Sequence, residues 1–351
     1  MNTATRNATF TALALAIIAG GLAIAGPLTP PVGPVGGSFK TLSEVEPRTP
    51  ISSLPFTIST SGSYYLTGNL TGPLGQDGIT VNADDVTIDL GGFTMTGGPG
   101  QTNAIKAGQR TNVTVRNGTI KGWAAGGVAF LLTDQGRIES VSFRNCPNSA
   151  IFTGEGSLVR NCTIRDSGTV SISTGSTIDS CTLTNVSSGI NSLDGSVVTN
   201  CVVANCTGGN AAIYLGGACT VTGCSVIGGN SQGISVAIGS TVSNCSVRGT
   251  GLAGFVVGGS CTVTNNTATN NGDGTAAGFE INGSGNRIDG NLAVGNGHGF
   301  RSNWTDNLIV RNAARANTAG NYTLASNESA QILVNPGVNF VATNPWANFA
   351  Y

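Results

Sequence analysis

The chain has 351 residues, of which 39% are apolar and only 9% charged, with 53 glycines and a net charge of −1. Charge this sparse and balanced excludes the bulk electrostatics of nucleic-acid or acidic-membrane binders, and the wealth of apolar residues excludes a disordered chain. What remains is a β-rich fold with a long core and a surface built mostly from Asn, Ser and Thr.

Residues 1–25 have the form of an export signal. Arg6 is followed by an apolar run from Phe10, and Ala23-Ile24-Ala25 supplies the small residues of a cleavage site. Gly20 and Gly21 interrupt the run, which is short for a membrane span, so cleavage and export are expected, with no span left in the mature chain. Residues 26–37, which include PLTPPVGPVGG, read as a Pro/Gly-rich linker. Residues 38–77, with Phe56, Tyr64 and Tyr65, read as an N-terminal cap.

From 78 to 319 the chain repeats with a period of about 21 residues. Cys162, in RNCTIRDS, serves as an index. The same position falls on Val141 and Gly118 going backward, and on Cys181, Cys201, Cys224, Cys245, Asn266, Asn291 and Asn312 going forward. Each unit offers a first strand such as GINSL or AGFEI, a Gly-rich turn, and two short strands flanking the index. A strand shows its faces alternately, so in DSCTLTN Cys181 and Leu183 share the inner face while Thr182 and Thr184 share the outer one. Three strands per unit, turned by Gly, Asn or Asp and stacked in parallel on the next unit, describe an all-β fold. It is a right-handed parallel β-helix, a solenoid of about eleven coils. Residues 320–351, with Phe340, Trp346, Phe349 and Tyr351, read as the C-terminal cap that open rungs need.

The index column turns most of the nine cysteines inward, as small packing side chains with free thiols. Zinc is not expected. The CxxxxC spacings at 201–206 and 219–224 lack the paired short spacings of zinc sites, and His298 is the single histidine. Asp84, Asp85 and Asp89 read as turn and strand residues rather than a calcium cage, so neither a metal nor a cofactor is expected.

Stacking turns each outward position into a column of side chains. One column carries Arg116, Glu139, Arg160 and Asp179 in alternating sign and reads as an ion-pair ladder. Another carries Lys121, Arg144 and Arg165, three like charges on consecutive coils, which read either as a solvated basic face or as a row for an anionic ligand. The outward column of the first strand runs from Lys106 to Arg301. It includes Phe152 and Tyr214, which could stack on sugars. Further along it, Glu280 and Arg301, with His298 just before, form the single place where an acid, a base and a cation could meet.

The runs GITVNADDVTIDLGGFTMTG and TNVTVRNGTIKG, with EPRTPI ahead and NPWANF behind, resemble secreted bacterial right-handed β-helix repeat proteins of the pectin-lyase-like superfamily. The resemblance covers nearly the whole mature chain. It implies the fold, and it implies either polysaccharide lyase, hydrolase or epimerase chemistry or none. The clustered acidic ligands or carboxylates that such enzymes need do not recur on neighbouring coils here. The leading expectation is therefore an exported protein, secreted, periplasmic or at the cell surface, that binds an acidic polysaccharide or a cell-surface glycan. A lyase or hydrolase using Glu280, His298 and Arg301 is the alternative, and a structural envelope component is another.

Overall fold

Runs of three to five residues rich in Val, Ile and Thr, each ended by Gly, Asn or Ser, leave the backbone little choice but short strands. The computed structural model describes residues 47–98, 100, 102–325, 332–334 and 344–351. The signal-like segment and the linker at 26–37 lie outside the described residues, as do parts of both caps. Among the described residues the strands form one 25-stranded and one 13-stranded sheet, parallel throughout. Together they wind into a right-handed β-solenoid of about twelve turns, one more than the sequence period alone indicates. Pairing already begins inside the segment read as a cap: Phe56–Ile58 pairs with Ile79–Val81, and Thr49–Ile51 with Tyr64–Leu66. No helix interrupts the described residues.

Each coil places two strands in the larger sheet, separated by a sharp bend, and one in the smaller sheet. The bend needs a residue in the left-handed region just before the index position. Asn161, Ser180, Asn200, Asn244 and Asn265 supply it at φ of 53–57°, and Gly223 and Gly290 at 66° and 68°. Asn and Gly are the residue types that enter this region at least cost.

That bend also turns the next backbone N–H off the strand ladder and into the core, where it must find a partner. The index side chain of the following coil provides one. Cys224 N donates to Cys245 Sγ at 3.4 Å, Cys245 N to Asn266 Oδ1 at 2.8 Å, and Asn266 N to Asn291 Oδ1 at 2.9 Å. The chain of bonds continues through Asn291 and Asn312 to Asn348. These index side chains are therefore hydrogen-bonding partners of the backbone as well as filler, and residues 1–2% or less exposed do this work inside the helix.

The core keeps its cross-section by compensation. One inward column of the larger sheet narrows from Ile164, Leu183 and Val203 to Ala268, Ala293 and Ala314. Across the core, the column of the smaller sheet widens from Val170 and Ile190 to Phe255, Phe279, Phe300 and Tyr322, whose rings stack at 4.7–5.1 Å between centroids. Gly278 fits where the two meet, because a Cβ there would lie 2.8 Å from Asn296 Nδ2 and 3.2 Å from Ala268 Cβ.

Candidate functional site

The outer face of the smaller sheet carries the sequence column in unbroken register: Ala129, Phe152, Ser171, Asn191, Tyr214 and Ser235 pair successively across neighbouring strands. Phe152 and Tyr214 are each 39% exposed and stand three coils apart. At the ~4.8 Å spacing of parallel strands their Cα atoms are about 14 Å apart along the helix axis. Only Ser171 and Asn191 lie between them, and their short side chains leave a trough.

Two hollows make up that trough. The first, about 230 Å³, is lined by Phe152, Thr153, Ser171, Ile172, Asn191 and Leu193 among others. The second, about 150 Å³, lies against Tyr214 and is lined also by Asn191, Gly209 and Asn210. Asn191 stands between them. The strand holding Phe152 departs from regular pairing between Ser149 and Ile151, and from Ile151 onward the pairing is regular, so Phe152 faces outward with Ser171. Among the described residues no charged side chain lines either hollow. Aromatic rims over a polar floor suit a ligand with apolar faces and many hydroxyls.

Further along the same column, a third hollow of about 440 Å³ opens over Val256, Glu280 and Arg301. Here acid and cation are bound to each other: Arg301 Nε donates to Glu280 Oε2 at 2.6 Å, and Arg301 Nη1 to the Thr275 carbonyl at 3.2 Å. His298 pairs instead with Thr323, Nδ1 to Oγ1 at 2.9 Å. Partial burial, and then the positive charge of Arg301, hold the His298 pKa below its ordinary value. The three residues are neighbours, but their hydrogen bonds join only two of them.

The basic row belongs to the larger sheet, apart from the aromatic trough. Arg144 pairs with Lys121 on one side and Arg165 on the other, and all three are exposed. Arg165 Nε lies 3.3 Å from Asp166 Oδ2, an exposed ion pair worth under about 1 kcal/mol. Lys121 and Arg144 have no ion-pair partner among the described residues. The neighbouring column is neutralised: Arg116 lies 3.2 Å from Asp89, and Arg160 lies 3.1 Å from Glu139.

All nine cysteines are buried. Burial pushes the Cys146, Cys219 and Cys261 thiols up, away from the thiolate that nucleophilic chemistry needs. Among the described residues no three His, Cys, Asp or Glu side chains converge as metal ligands, and no helix is long and apolar enough to cross a membrane. Asn191, a member of the outward sequence column, and Leu193 also shape the trough, and neither is a candidate site residue on its own sequence chemistry. Two short side chains between aromatic ones in a single column were the available signal.

A family model described as a right handed beta helix region matches residues 77–225 and again 211–341. No curated protein matches the chain significantly. Among solved structures, a GH136 lacto-N-biosidase from Eubacterium ramulus is similar, with a TM-score of 0.50 at 11% identity, over 83% of this chain and 62% of that one. The catalytic domain of a GH87 alpha-1,3-glucanase in complex with nigerose gives 0.45 at 12% identity, over 68% and 62%. A tailspike protein of E. coli bacteriophage HK620 in complex with pentasaccharide gives 0.47 at 11%, over 83% and 71%. This chain thus spans about three fifths of the first two structures' lengths. Identities this low carry the fold alone.

Proposed function

The chain belongs to the right-handed β-helix family, of the pectin-lyase-like type, and on that premise we propose that it is an exported protein that binds a glycan along the outer face of its smaller sheet, between Phe152 and Tyr214. The N-terminal sequence, with its apolar run and small-residue cut site, supports export. The observation that carries the binding site is the trough itself. Two half-exposed rings flank a floor of Ser171 and Asn191 on one column, and the coil rise lets a linear sugar chain follow the helix axis. Rings supply stacking surface, and the floor supplies donors and acceptors.

Retention of the purified protein on immobilised neutral and acidic glycans, with product formation followed in parallel, tests the reading. Phe152→Ala and Tyr214→Ala each weaken retention if the trough is the site. New reducing or unsaturated ends, abolished by Glu280→Ala, would instead favour catalysis at the third hollow. A second reading draws on the basic row: Lys121 and Arg144, unneutralised beside Arg165, suit a carboxylated or sulfated glycan on the larger sheet. Loss of retention in Arg144→Glu alone would move the site there.

A further inference from the structure

The sequence holds four Asn-Gly steps, at 117–118, 271–272, 282–283 and 296–297. Such a step is chemically labile, because a glycine without a Cβ leaves its backbone nitrogen free to approach the carbonyl carbon of the asparagine side chain. The fold treats the four differently. Asn271 and Asn296 are each 1% exposed, and Asn271 Nδ2 donates to Asn296 Oδ1 at 3.0 Å inside the core. Gly272 N donates to Thr250 O at 2.7 Å, and Asn296 Nδ2 to Ala268 O at 3.1 Å. Asn117 sits within the paired strand Val113–Lys121 at a φ of 59°, with its Nδ2 donating to Asp89 Oδ1 at 3.4 Å.

Asn282 stands apart. It is exposed at the turn after Ala277–Ile281, and its backbone N donates to Val257 O at 2.8 Å. Among the described residues neither its side chain nor the Gly283 N–H has a hydrogen-bond partner. Packing imposes the glycine: a Cβ on Gly283 would lie 2.5 Å from Gly259 N and 2.6 Å from Gly259 Cα. Close approach of two coils thus keeps a labile pair at an open turn. Asn282 also lines the third hollow, where the charges of Glu280 and Arg301 balance.

We infer that Asn282 is a site of spontaneous deamidation, with water as the one co-reactant. Gly283 N gives up its proton and bonds to Asn282 Cγ. The bond from Cγ to Nδ2 breaks, ammonia leaves, and a succinimide ring closes. Water then opens the ring at either carbonyl, leaving an aspartate or, with the main chain rerouted through the side chain, an isoaspartate. Either product adds a carboxylate to the third hollow and turns its charge balance negative.

The test incubates the full purified protein in warm, mildly alkaline buffer, digests it at acidic pH and maps the four steps by mass spectrometry, with fragmentation that separates isoaspartate from aspartate. Conversion at Asn282 is expected to run about tenfold or more ahead of that at Asn117, Asn271 and Asn296, which must open locally before they can react. An acidic form separable by ion exchange should grow in step with it and be absent from Asn282→Ser. In urea, where the folded contacts are gone, the four rates should converge. An Asn282 that keeps its amide in the folded protein, or any other step converting as fast there, would overturn the inference. A gap that persists unchanged in urea would also overturn it, because the selectivity would then come from local sequence and not from the fold.

Discussion

Phe152 and Tyr214 occupy one outward column of the smaller sheet, and only Ser171 and Asn191 stand between them. Both rings are anchored on strands whose opposite faces pack Ile151 and Ile213 fully into the core. A site on a rigid ladder needs little ordering when a ligand arrives, which favours affinity from few contacts.

Removing either ring is expected to cost binding and not folding. Phe152→Ala and Tyr214→Ala should each weaken glycan affinity by about tenfold, the size of one stacking contact with its buried area, while the unfolding free energy stays within about 0.5 kcal/mol of the parent. Calorimetric titration together with urea unfolding separates the two effects.

The buried asparagines carry stability. Asn291 Oδ1 accepts from Asn266 N and Nδ2, and its own Nδ2 donates to Val263 O and Asn312 Oδ1 at 2.9 and 3.0 Å. Asn291→Leu leaves those groups buried without partners and should cost roughly 3 kcal/mol. At Cys245, which accepts from Cys224 N, Ser should be tolerated and Val should cost about 1 kcal/mol, since only Ser keeps the acceptor. Equilibrium urea unfolding at unchanged m-value reads both.

The basic row stores repulsion. Arg144→Glu places a carboxylate between Lys121 and Arg165 and should raise stability by about 0.5 kcal/mol at low salt. The gain should shrink as added salt screens these exposed groups.

Acid should weaken the fold through two carboxylates. Hydrogen bonds from Arg311 and then Arg287 hold the Asp289 carboxyl below its ordinary value, and those from Thr199 and Asn200 hold Asp179 down. A folded-state pKa below the unfolded one means that the stabilisation is fully present above the ordinary carboxylate range. It is lost as pH falls through the lowered value. Asp289→Asn should therefore flatten the acid limb of a stability-versus-pH curve and leave neutral-pH stability lower. His298, also lowered, adds a smaller loss as pH falls below about 6.5.

Much of the architecture was legible because strand parity and repeat spacing are one-dimensional facts. The index residues from Val141 to Asn312, and the outward column from Lys106 to Arg301, follow from counting. The number of turns was not, because Phe56–Ile58 joins the ladder without sharing the later repeat's glycines. Nor was the role of the index side chains, since it depends on a left-handed residue turning the next N–H inward. The trough escaped for a related reason. Ser171 and Asn191 carry no distinctive chemistry as single residues, and the hollow exists only as a relation among four stacked coils.

The most direct measurement fills the trough without touching its rings. Ser171, half-buried between Phe152 and Asn191, can be replaced by tryptophan, which occupies the floor on which a glycan would lie. If the trough binds glycan, Ser171→Trp keeps the parent's folding transition and loses retention on every glycan that the parent binds. Unchanged retention by a folded Ser171→Trp protein would contradict the account.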